Sequence, residues 1–348
     1  MRIALRLAAP VITALVVACG SAPVEPRALP DAAQDVAVAP DARAPEDAAL
    51  DEVATIPPRD AAATPDDAPS VDVARDVPTA DASSADPCAG RGGRAGRGTI
   101  QLSWGGRMRS AIVNVPSGYD ATRAGPLVLA FHGFLDSAAG FSAYDGLEAE
   151  GARRGAIVVH PDGLNNSWNA GGCCGQSAID GVDDVGFARA LIDRVAAEWC
   201  VDPARVYATG FSNGGAMSHR LGCELSDRIA AIAPVSGTLG LNNCRPGRPV
   251  PVLHTHGDAD IIVVYNGGGL SGLQSVASTM MTWRAADTCP TSAVTRMVGT
   301  ARCDTWAPCG DGAEATLCTI GGGAHLWPTP GFPAPREIFD FFARHPRP

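Results

Sequence analysis

One pentapeptide in the sequence has the residue types of a nucleophilic serine site. GFSNG, residues 210–214, fits the pattern G-x-S-x-G, and it lies between an apolar run, Val206 to Thr209, and a stretch with helical amphipathic spacing. A sharp turn from strand to helix exposes the serine hydroxyl, and it requires flanking glycines because side chains there would clash. The pattern therefore predicts Ser212 as a catalytic nucleophile.

A serine hydroxyl reacts only when a base removes its proton, and in this context the chain order is Ser, acid, His. HGDAD, residues 256–260, follows an apolar run and offers two carboxylates, Asp258 and Asp260, between which spacing alone leaves the choice open. Beyond it, His325 follows three glycines in a loop, whereas His345 lies in a Pro-flanked tail. We therefore predict His325 as the base.

The tetrahedral intermediate of acyl transfer needs two hydrogen-bond donors for its oxyanion. The backbone amide of Asn213, the residue after the serine, is the first expected donor. The second should follow an early central strand, Leu127 to Phe131, and we assign it to the amide of Phe134. Structural roles are expected for four histidines that lack the required place in the chain order: His132, His160, His219 and His254.

The folded part alternates short apolar runs with amphipathic stretches, and this alternation predicts an α/β fold with a mostly parallel sheet between two layers of helices. A β-hairpin is expected around Gly105-Gly106. Buried strands are predicted at 127–131, 156–160, 206–210, 229–234, 250–255 and 316–320. Helices are predicted at 138–154, 184–199, 213–223, 273–286 and 335–344.

The N-terminus resembles an export signal. Residues 1–19 combine two arginines with a short apolar stretch, too short to span a bilayer, and end in a lipobox-like sequence at Cys19. We expect a lipid anchor at Cys19, with an ordinary secretory signal as the alternative. Residues 20–87 hold fifteen Asp and Glu against four Arg and have no aromatic residue. They predict a disordered linker, which leaves residues 88–348 as one catalytic domain.

Most of the net charge of −10 comes from that linker, so the folded part is nearly neutral and a nucleic-acid partner is not expected. The other ten of the eleven cysteines lie at or after Cys88, and an even count in an exported chain predicts disulfides. The last four should link a C-terminal subregion. Cys173 and Cys174 could pair with each other or elsewhere. No metal site is expected, because paired C-x-x-C spacing is missing.

Seven runs of sequence, in order, extend the argument beyond single motifs. They are FHGFLDSAAGF (131–141), VVHPDG (158–163), SWNAGGCCG (167–175), VDDVGF (182–187), GFSNGGAM (210–217), HGDAD (256–260) and GGGAHLWP (321–328). Together they resemble the secreted polyhydroxybutyrate depolymerase and feruloyl esterase family related to carbohydrate esterase family 1. The resemblance spans roughly residues 99–345. It implies an α/β-hydrolase fold, no cofactor, and Ser212, Asp260 and His325 as nucleophile, acid and base.

Within these runs, the resemblance places Trp168 in a loop that lines the site of relatives. Trp168 either forms an aromatic wall for substrate or packs that loop. Asp183 and Asp184 begin a helix and are expected to cap it rather than to act as acid and base. The motif position of Phe134 often holds another residue, and no carbohydrate-binding module is appended, so the substrate stays open.

These features predict an exported, monomeric serine ester hydrolase that forms an acyl-enzyme. The resemblance implies feruloyl or acetyl esters of polysaccharide, or polyhydroxybutyrate-type polyesters, as substrates. A peptidase or an acyltransferase could use the same three residues. A surface lipoprotein that only binds glycan or a protein partner is the alternative of a different class.

Overall fold

The computed structural model describes Asp86 and residues 88–269, 272–328 and 331–348. The predicted signal segment, including Cys19, lies outside the described residues, and so does the predicted linker 20–87 apart from Asp86. In the described part of the chain, no helix is both long and apolar enough to cross a bilayer.

A ten-stranded sheet forms the centre of the domain, in the order β1-β2-β4-β3-β5-β6-β7-β10-β9-β8. The six strands from β4 to β10 in this order run parallel, and both edges are antiparallel. The strands are β1 Gly96–Trp104, β2 Arg107–Val115, β3 Gly125–Phe131, β4 Ile157–Pro161, β5 Val201–Phe211, β6 Ala231–Val235, β7 Val252–Gly257, β8 Val294–Val298, β9 Ala301–Trp306 and β10 Ala315–Ile320.

Helices cover both faces of the sheet. They are α1 Ala138–Tyr144, α2 Leu147–Arg154, α3 Gly175–Ile179, α4 Asp184–Glu198, α5 Asn213–Glu224, α6 Val276–Ala286 and α7 Ala334–Arg344. In β3, Leu127, Leu129 and Phe131 join the core with α4, α5 and α6, whereas Val128 and Ala130 join the core with α1, α2 and α7. Because successive side chains of a strand point to opposite faces, an unbroken apolar strand supplies both cores. The predicted three-layer α/β fold is confirmed.

The hairpin turn agrees with the sequence prediction, and the secondary structure departs from prediction in two places. The hairpin turn at Gly105 and Gly106 is present, and both glycines have positive φ. The single helix predicted over 138–154 was wrong: Gly146, with φ 73°, separates α1 from α2. Strands β8 and β9 were not predicted: four of the five residues of β8 are exposed, and in β9 only the small side chains of Ala301 and Cys303 are buried.

Five disulfides account for the ten cysteines from Cys88 onward, which confirms that prediction. They are Cys88–Cys200, Cys173–Cys174, Cys223–Cys244, Cys289–Cys309 and Cys303–Cys318. The last two pairs link the C-terminal subregion as expected. The choice left open at Cys173 is resolved as a vicinal pair.

Candidate active site

Ser212 occupies the turn between β5 and α5. Its backbone has φ 55° and ψ −117°, a conformation that is costly for a residue with a side chain, and its N–H donates to the carbonyl of Val235 at 2.9 Å. A Cβ at Gly214 would lie 2.0 Å from the Phe131 oxygen, and one at Gly210 would lie 2.5 Å from the Gly214 oxygen. The two glycines of the motif are therefore required by close backbone packing.

A continuous hydrogen-bonded chain joins the serine to a buried carboxylate. The Ser212 Oγ lies 2.9 Å from Nε2 of His325, and the His325 Nδ1 lies 2.7 Å from Oδ2 of Asp260. An ionised carboxylate only accepts, so Nδ1 carries the proton and Nε2 presents its lone pair to the serine hydroxyl. This tautomer is the one that can take up the serine proton.

Asp260 is held ionised by its neighbours. Burial alone would raise the pKa of its carboxyl, but hydrogen bonds from His256, His325 and the amide of Ile262 outweigh burial and hold that pKa well below its usual range. The other oxygen, Oδ1, accepts from the amides of Ile262 and Val263 at 2.8 and 2.9 Å. The orientation of the carboxylate is therefore fixed on both sides.

The second carboxylate of the HGDAD segment has a different partner. Asp258 is exposed, and its Oδ1 accepts from the amide of Gly322 at 2.6 Å, in the loop that carries His325. The amide of Ala259 donates to the Gly323 carbonyl in the same loop at 3.0 Å. Asp258 thus ties the two loops together, while Asp260 contacts the imidazole.

The loop after β3 approaches the serine closely. A Cβ at Gly133 would lie 3.6 Å from the Cβ of Ser212, and the next residue is Phe134. Phe134 lies outside strands and helices, and Asn213, as the first residue of α5, has no acceptor within the helix. Among the described residues, the N–H groups of Phe134 and Asn213 donate to no other group. Both amides are therefore available to an oxyanion.

The Asn213 side chain has a function that the sequence did not predict. Its Oδ1 accepts from the amide of Trp168 at 2.7 Å, and its Nδ2 donates to the Trp168 carbonyl at 3.0 Å. The Trp168 ring has no exposed surface, and its Nε1 donates to the carbonyl of His132 at 3.0 Å. The aromatic wall suggested for Trp168 therefore requires correction, because a fully buried ring packs the loop and cannot contact substrate.

The remaining polar residues of the motifs lie in structural positions. Asp183 caps α4 by accepting from the amide of Gly186 at 2.8 Å, as expected. Asp184 lies in the first turn of α4, but its side chain has other partners than the helix amides: fully buried, it accepts from Arg109 Nη2 and from the amide of Asn169, each at 2.8 Å. Burial raises the pKa of Asp184, against the opposing effects of Asn169 and Arg109. It is thus one half of a buried ion pair.

Two of the four histidines with expected structural roles have hydrogen-bond partners away from the serine. His132 Nε2 accepts from the Gly163 amide at 3.0 Å, so its Nδ1 donates to the Gly133 carbonyl at 2.7 Å. His160 Nε2 lies 2.6 Å from the Asp145 carboxylate. The other two, His219 and His254, form a buried row with His256 behind Asp260. The alternation in HTH, residues 254–256, places two histidines on one face of β7 and could have signalled this row.

The strand order, the strained serine between β5 and α5, and the Ser212-His325-Asp260 geometry define a class of protein, the α/β-hydrolases with a nucleophile elbow. No family model matches the chain.

The chain is 35% identical over 233 residues to feruloyl esterase B of Piromyces equi, a match covering 62% of this chain and 42% of that protein. It is 31% identical over 252 residues to putative esterase NocK of Nocardia uniformis subsp. tsuyamanensis, covering 66% of this chain and 73% of that protein. An acetyl xylan esterase from Aspergillus awamori shares the fold, with a TM-score of 0.55 and 14% identity, covering 71% of this chain and 99% of that chain.

The chain belongs to the esterase family of α/β-hydrolases that includes putative esterase NocK, and it is similar to feruloyl esterases. It spans less than half of the Piromyces equi relative.

Proposed function

We propose that the protein is a serine carboxylic ester hydrolase that works through an acyl-enzyme. The observation that carries this proposal is the unbroken hydrogen-bonded chain from Asp260 through His325 to the Ser212 Oγ. Its support is threefold: the tautomer of His325 suits proton removal, the serine sits on a strained turn, and two free amides flank it.

In the proposed reaction, the Ser212 Oγ attacks the ester carbonyl carbon while His325 Nε2 removes the hydroxyl proton. The amides of Phe134 and Asn213 donate to the oxyanion of the tetrahedral intermediate. His325 then returns the proton to the leaving alcohol, and a water activated by the same nitrogen hydrolyses the acyl-serine. Asp260 stays ionised throughout and stabilises the imidazolium.

The proposed substrates are polysaccharide-linked esters. The names of relatives point in this direction: feruloyl esterase B of Piromyces equi, and a bifunctional acetylxylan esterase/xylanase of Neocallimastix patriciarum at 28% identity. Short polyhydroxybutyrate-type polyesters are the second candidate.

Exposed apolar side chains favour an apolar acyl group over acetyl. Phe134 and Leu135 adjoin the proposed oxyanion site, Ile261 and Ile262 follow Asp260, and Leu326 follows His325; these five side chains are 45–82% exposed. Such a concentration around one site is typical of a binding surface. A feruloyl ring or a hydroxybutyrate chain would cover it better than an acetyl group.

The proposal is tested with wild type and Ser212→Ala on nitrophenyl butyrate, methyl ferulate, acetylated xylan and hydroxybutyrate oligomers. We expect hydrolysis by the wild type and a loss of at least about 10³-fold in the variant. Retained hydrolysis by Ser212→Ala contradicts the proposed mechanism. A matched amide substrate separates an esterase from a peptidase, and added alcohol as acceptor reveals an acyltransferase.

The preference for an apolar acyl group is tested with the variant Leu326→Ser. Met297→Ser is the matched control. Both side chains are exposed to a similar extent, 63% and 64%, but Met297 lies on the edge strand β8. We expect Leu326→Ser to lower kcat/KM for methyl ferulate by about 5-fold or more and to change nitrophenyl acetate less. Equal losses on both esters would argue against an apolar acyl site.

We further propose that the protein is exported and acts as a monomer, with a lipid anchor at Cys19. The disulfides support an oxidising compartment. Cys19→Ala should release the protein from the membrane fraction, and an unchanged distribution indicates an ordinary secretory signal instead. Size-exclusion chromatography with light scattering tests the monomer.

A further inference from the structure

A row of four buried aromatic side chains leads away from the carboxylate of Asp260. Trp283 Nε1 lies 2.8 Å from His219 Nδ1, His219 Nε2 lies 3.1 Å from His254 Nδ1, and His254 Nε2 lies 3.1 Å from His256 Nδ1. His256 Nε2 then lies 2.8 Å from the Val263 carbonyl and 3.2 Å from Asp260 Oδ2. We call Trp283, His219, His254 and His256 the histidine array; all four have no exposed surface.

The array has a direction that its two ends impose. An indole N–H can only donate, so His219 Nδ1 must accept, and the proton of the neutral ring must reside on Nε2. His219 Nε2–H therefore donates to His254 Nδ1, which leaves the proton of the neutral His254 ring on Nε2. That N–H in turn donates to His256 Nδ1. At the far end His256 Nε2 faces a carbonyl and a carboxylate, both acceptors, so it must donate. Both ends therefore demand the same Nε2–H tautomer in all three rings.

A positive charge on the array is disfavoured. Burial first, and then the neighbouring His256, lowers the pKa of His219 to about 3, with the Gly237 carbonyl acting in the opposite direction. Burial and the two flanking histidines likewise hold the pKa of His254 well below its usual value. A second proton on His219 would lie on Nδ1, where it would face the indole N–H of Trp283, and two donors cannot form a hydrogen bond with each other. Among the residues that the structure describes, no group of three or more side chains is arranged to hold a metal ion.

We propose that the histidine array is a set of positioning residues for the reaction: Trp283 stabilises from one end the tautomers that the acceptors at the other end also require, so that His256 presents a permanent N–H to Oδ2 of Asp260. This inference rests on the proposed function, since it assigns a purpose to groups behind the same triad. Asp260 Oδ2 then accepts from His325 and His256 together, and it cannot rotate toward either alone. The lone pair of Asp260 Oδ2 that accepts from His325 Nδ1 therefore keeps its orientation.

Loss of the indole N–H should change the basicity of His325. Without it, only the acceptors at the Asp260 end hold the three tautomers, and a reversed set, with a lone pair of His256 Nε2 toward Asp260, becomes less unfavourable. A carboxylate that loses this donor becomes a stronger acceptor for His325 Nδ1 and stabilises the imidazolium more strongly. The acid limb of the kcat/KM profile should therefore move to higher pH.

The tautomers are measured directly by NMR on the full chain with ¹⁵N-labelled histidine. We expect His219, His254 and His256 to show the Nε2–H tautomer, and His219 and His254 to stay neutral between about pH 5 and 9. A neutral Nδ1–H form or an imidazolium at any of the three overturns the proposal. This measurement needs no activity, so it stays separate from the test of Ser212.

The consequence for catalysis is measured with Trp283→Phe, which removes the indole N–H and keeps an aromatic ring. Trp199→Phe is the matched control, because Trp199 is buried in the same core and donates to the Arg94 carbonyl instead. With kcat counted per site titrated by a fluorophosphonate, we expect Trp283→Phe to lower kcat by about 3–10-fold at unchanged KM, and to shift the acid limb upward by roughly 0.5 pH unit. The control should show neither change.

An equal kcat and pH profile in the two tryptophan variants overturns the proposal, whatever their stability. Should Trp283→Phe fail to fold, His256→Gln and His256→Phe give the same contrast. The glutamine amide can still donate near Asp260, whereas phenylalanine cannot, so His256→Gln should retain the higher kcat per site. Equal kcat in this pair overturns the proposal as well. If instead Ser212→Ala retained activity, the proposed function would fail while the measured tautomers stood.

Discussion

At the scale of single residues, two carboxylates two positions apart have separate partners. Asp260 is buried and contacts His325, whereas Asp258 is exposed and holds the amide of Gly322. Spacing could not distinguish them, because both follow the same strand. The two differ only in the folded structure, where the Asp260 side chain points inward and is surrounded by backbone amides and two imidazoles.

This difference predicts unequal effects of one conservative change. In Asp260→Asn the amide can donate toward His325 Nδ1, which favours the wrong imidazole tautomer, so we expect kcat to fall by about 10³–10⁴-fold. Asp258→Asn keeps an oxygen acceptor for Gly322 and should retain activity within about 3-fold. Steady-state kinetics on nitrophenyl butyrate measures both. Similar losses in the two variants would contradict the assignment of the acid.

The serine and the base were assigned from local motifs with a fixed order, whereas the choice of Asp260 over Asp258 came only from the family resemblance. The histidine array was not predicted, since its members come from α5, β7 and α6 and meet only after folding. Trp168 shows that a local motif does not determine the orientation of a side chain. Its motif indicated the correct loop, but whether an aromatic ring faces substrate or the core depends on packing against Phe131 and His132.

At the scale of elements, the turn between β5 and α5 depends on close backbone contacts. Gly214→Ala would set a Cβ 2.0 Å from the Phe131 carbonyl oxygen, so β3 and α5 would have to separate. We expect at least about 10²-fold lower activity and a lower Tm. Gly98→Ala is the control, because its Cβ would meet only Val113, at 3.8 Å. Normal activity and Tm in Gly214→Ala would refute the described turn geometry.

The C-terminal end of α6 supplies a prediction about pH. Burial raises the pKa of Asp287, its C-cap residue, to about 7, although the amide of Val250 and the charge of Arg248 act in the opposite direction. The unfolded chain ionises this group near pH 3.9, so its contribution to the free energy of unfolding declines between about pH 4 and 7.

Asp287→Asn should remove that decline, because the amide oxygen can still accept from Val250 and does not ionise. We expect the variant to be more stable than the wild type at pH 8, by on the order of 2–4 kcal/mol, and similar to it at pH 4. Urea unfolding at both pH values is the measurement. A variant less stable than wild type at pH 8 would show that burial does not raise the pKa of Asp287 in the fold.

Element boundaries show which physical signals the sequence carries. Buried parallel strands such as β3 and β4 were predicted within two residues, because unbroken apolar runs mark them. The break at Gly146 was missed, since a helical apolar pattern continues on both sides of it. The edge strand β8 was missed because pairing with β9, rather than burial, holds it in place, and β9 was missed because it buries only two small side chains, Ala301 and Cys303.

At the scale of the whole molecule, disulfides join distant parts of the chain. Cys88–Cys200 closes a loop with a sequence separation of 112 and ties the start of the domain to the residue before β5, whereas Cys223–Cys244 spans only 21. A longer closed loop removes more entropy from the unfolded chain. The first bond should therefore contribute more to stability.

Replacing both cysteines of a pair by serine tests this expectation. We expect a loss of about 4–5 kcal/mol for Cys88 and Cys200 and about 3 kcal/mol for Cys223 and Cys244, measured by denaturant unfolding. Activity at low temperature should persist in the first variant, because that bond lies away from Ser212 in the sheet. A larger loss from the shorter loop would contradict the entropic account.

The central claim is that Ser212 forms a covalent bond with substrate in the folded protein. Labelling the full chain with a fluorophosphonate, followed by peptide mass spectrometry, measures this most directly. The account predicts one phosphonyl group per chain, on Ser212, with loss of ester hydrolysis in proportion and markedly slower labelling in His325→Ala. A label on another residue, or full hydrolysis after Ser212 is completely modified, would contradict it.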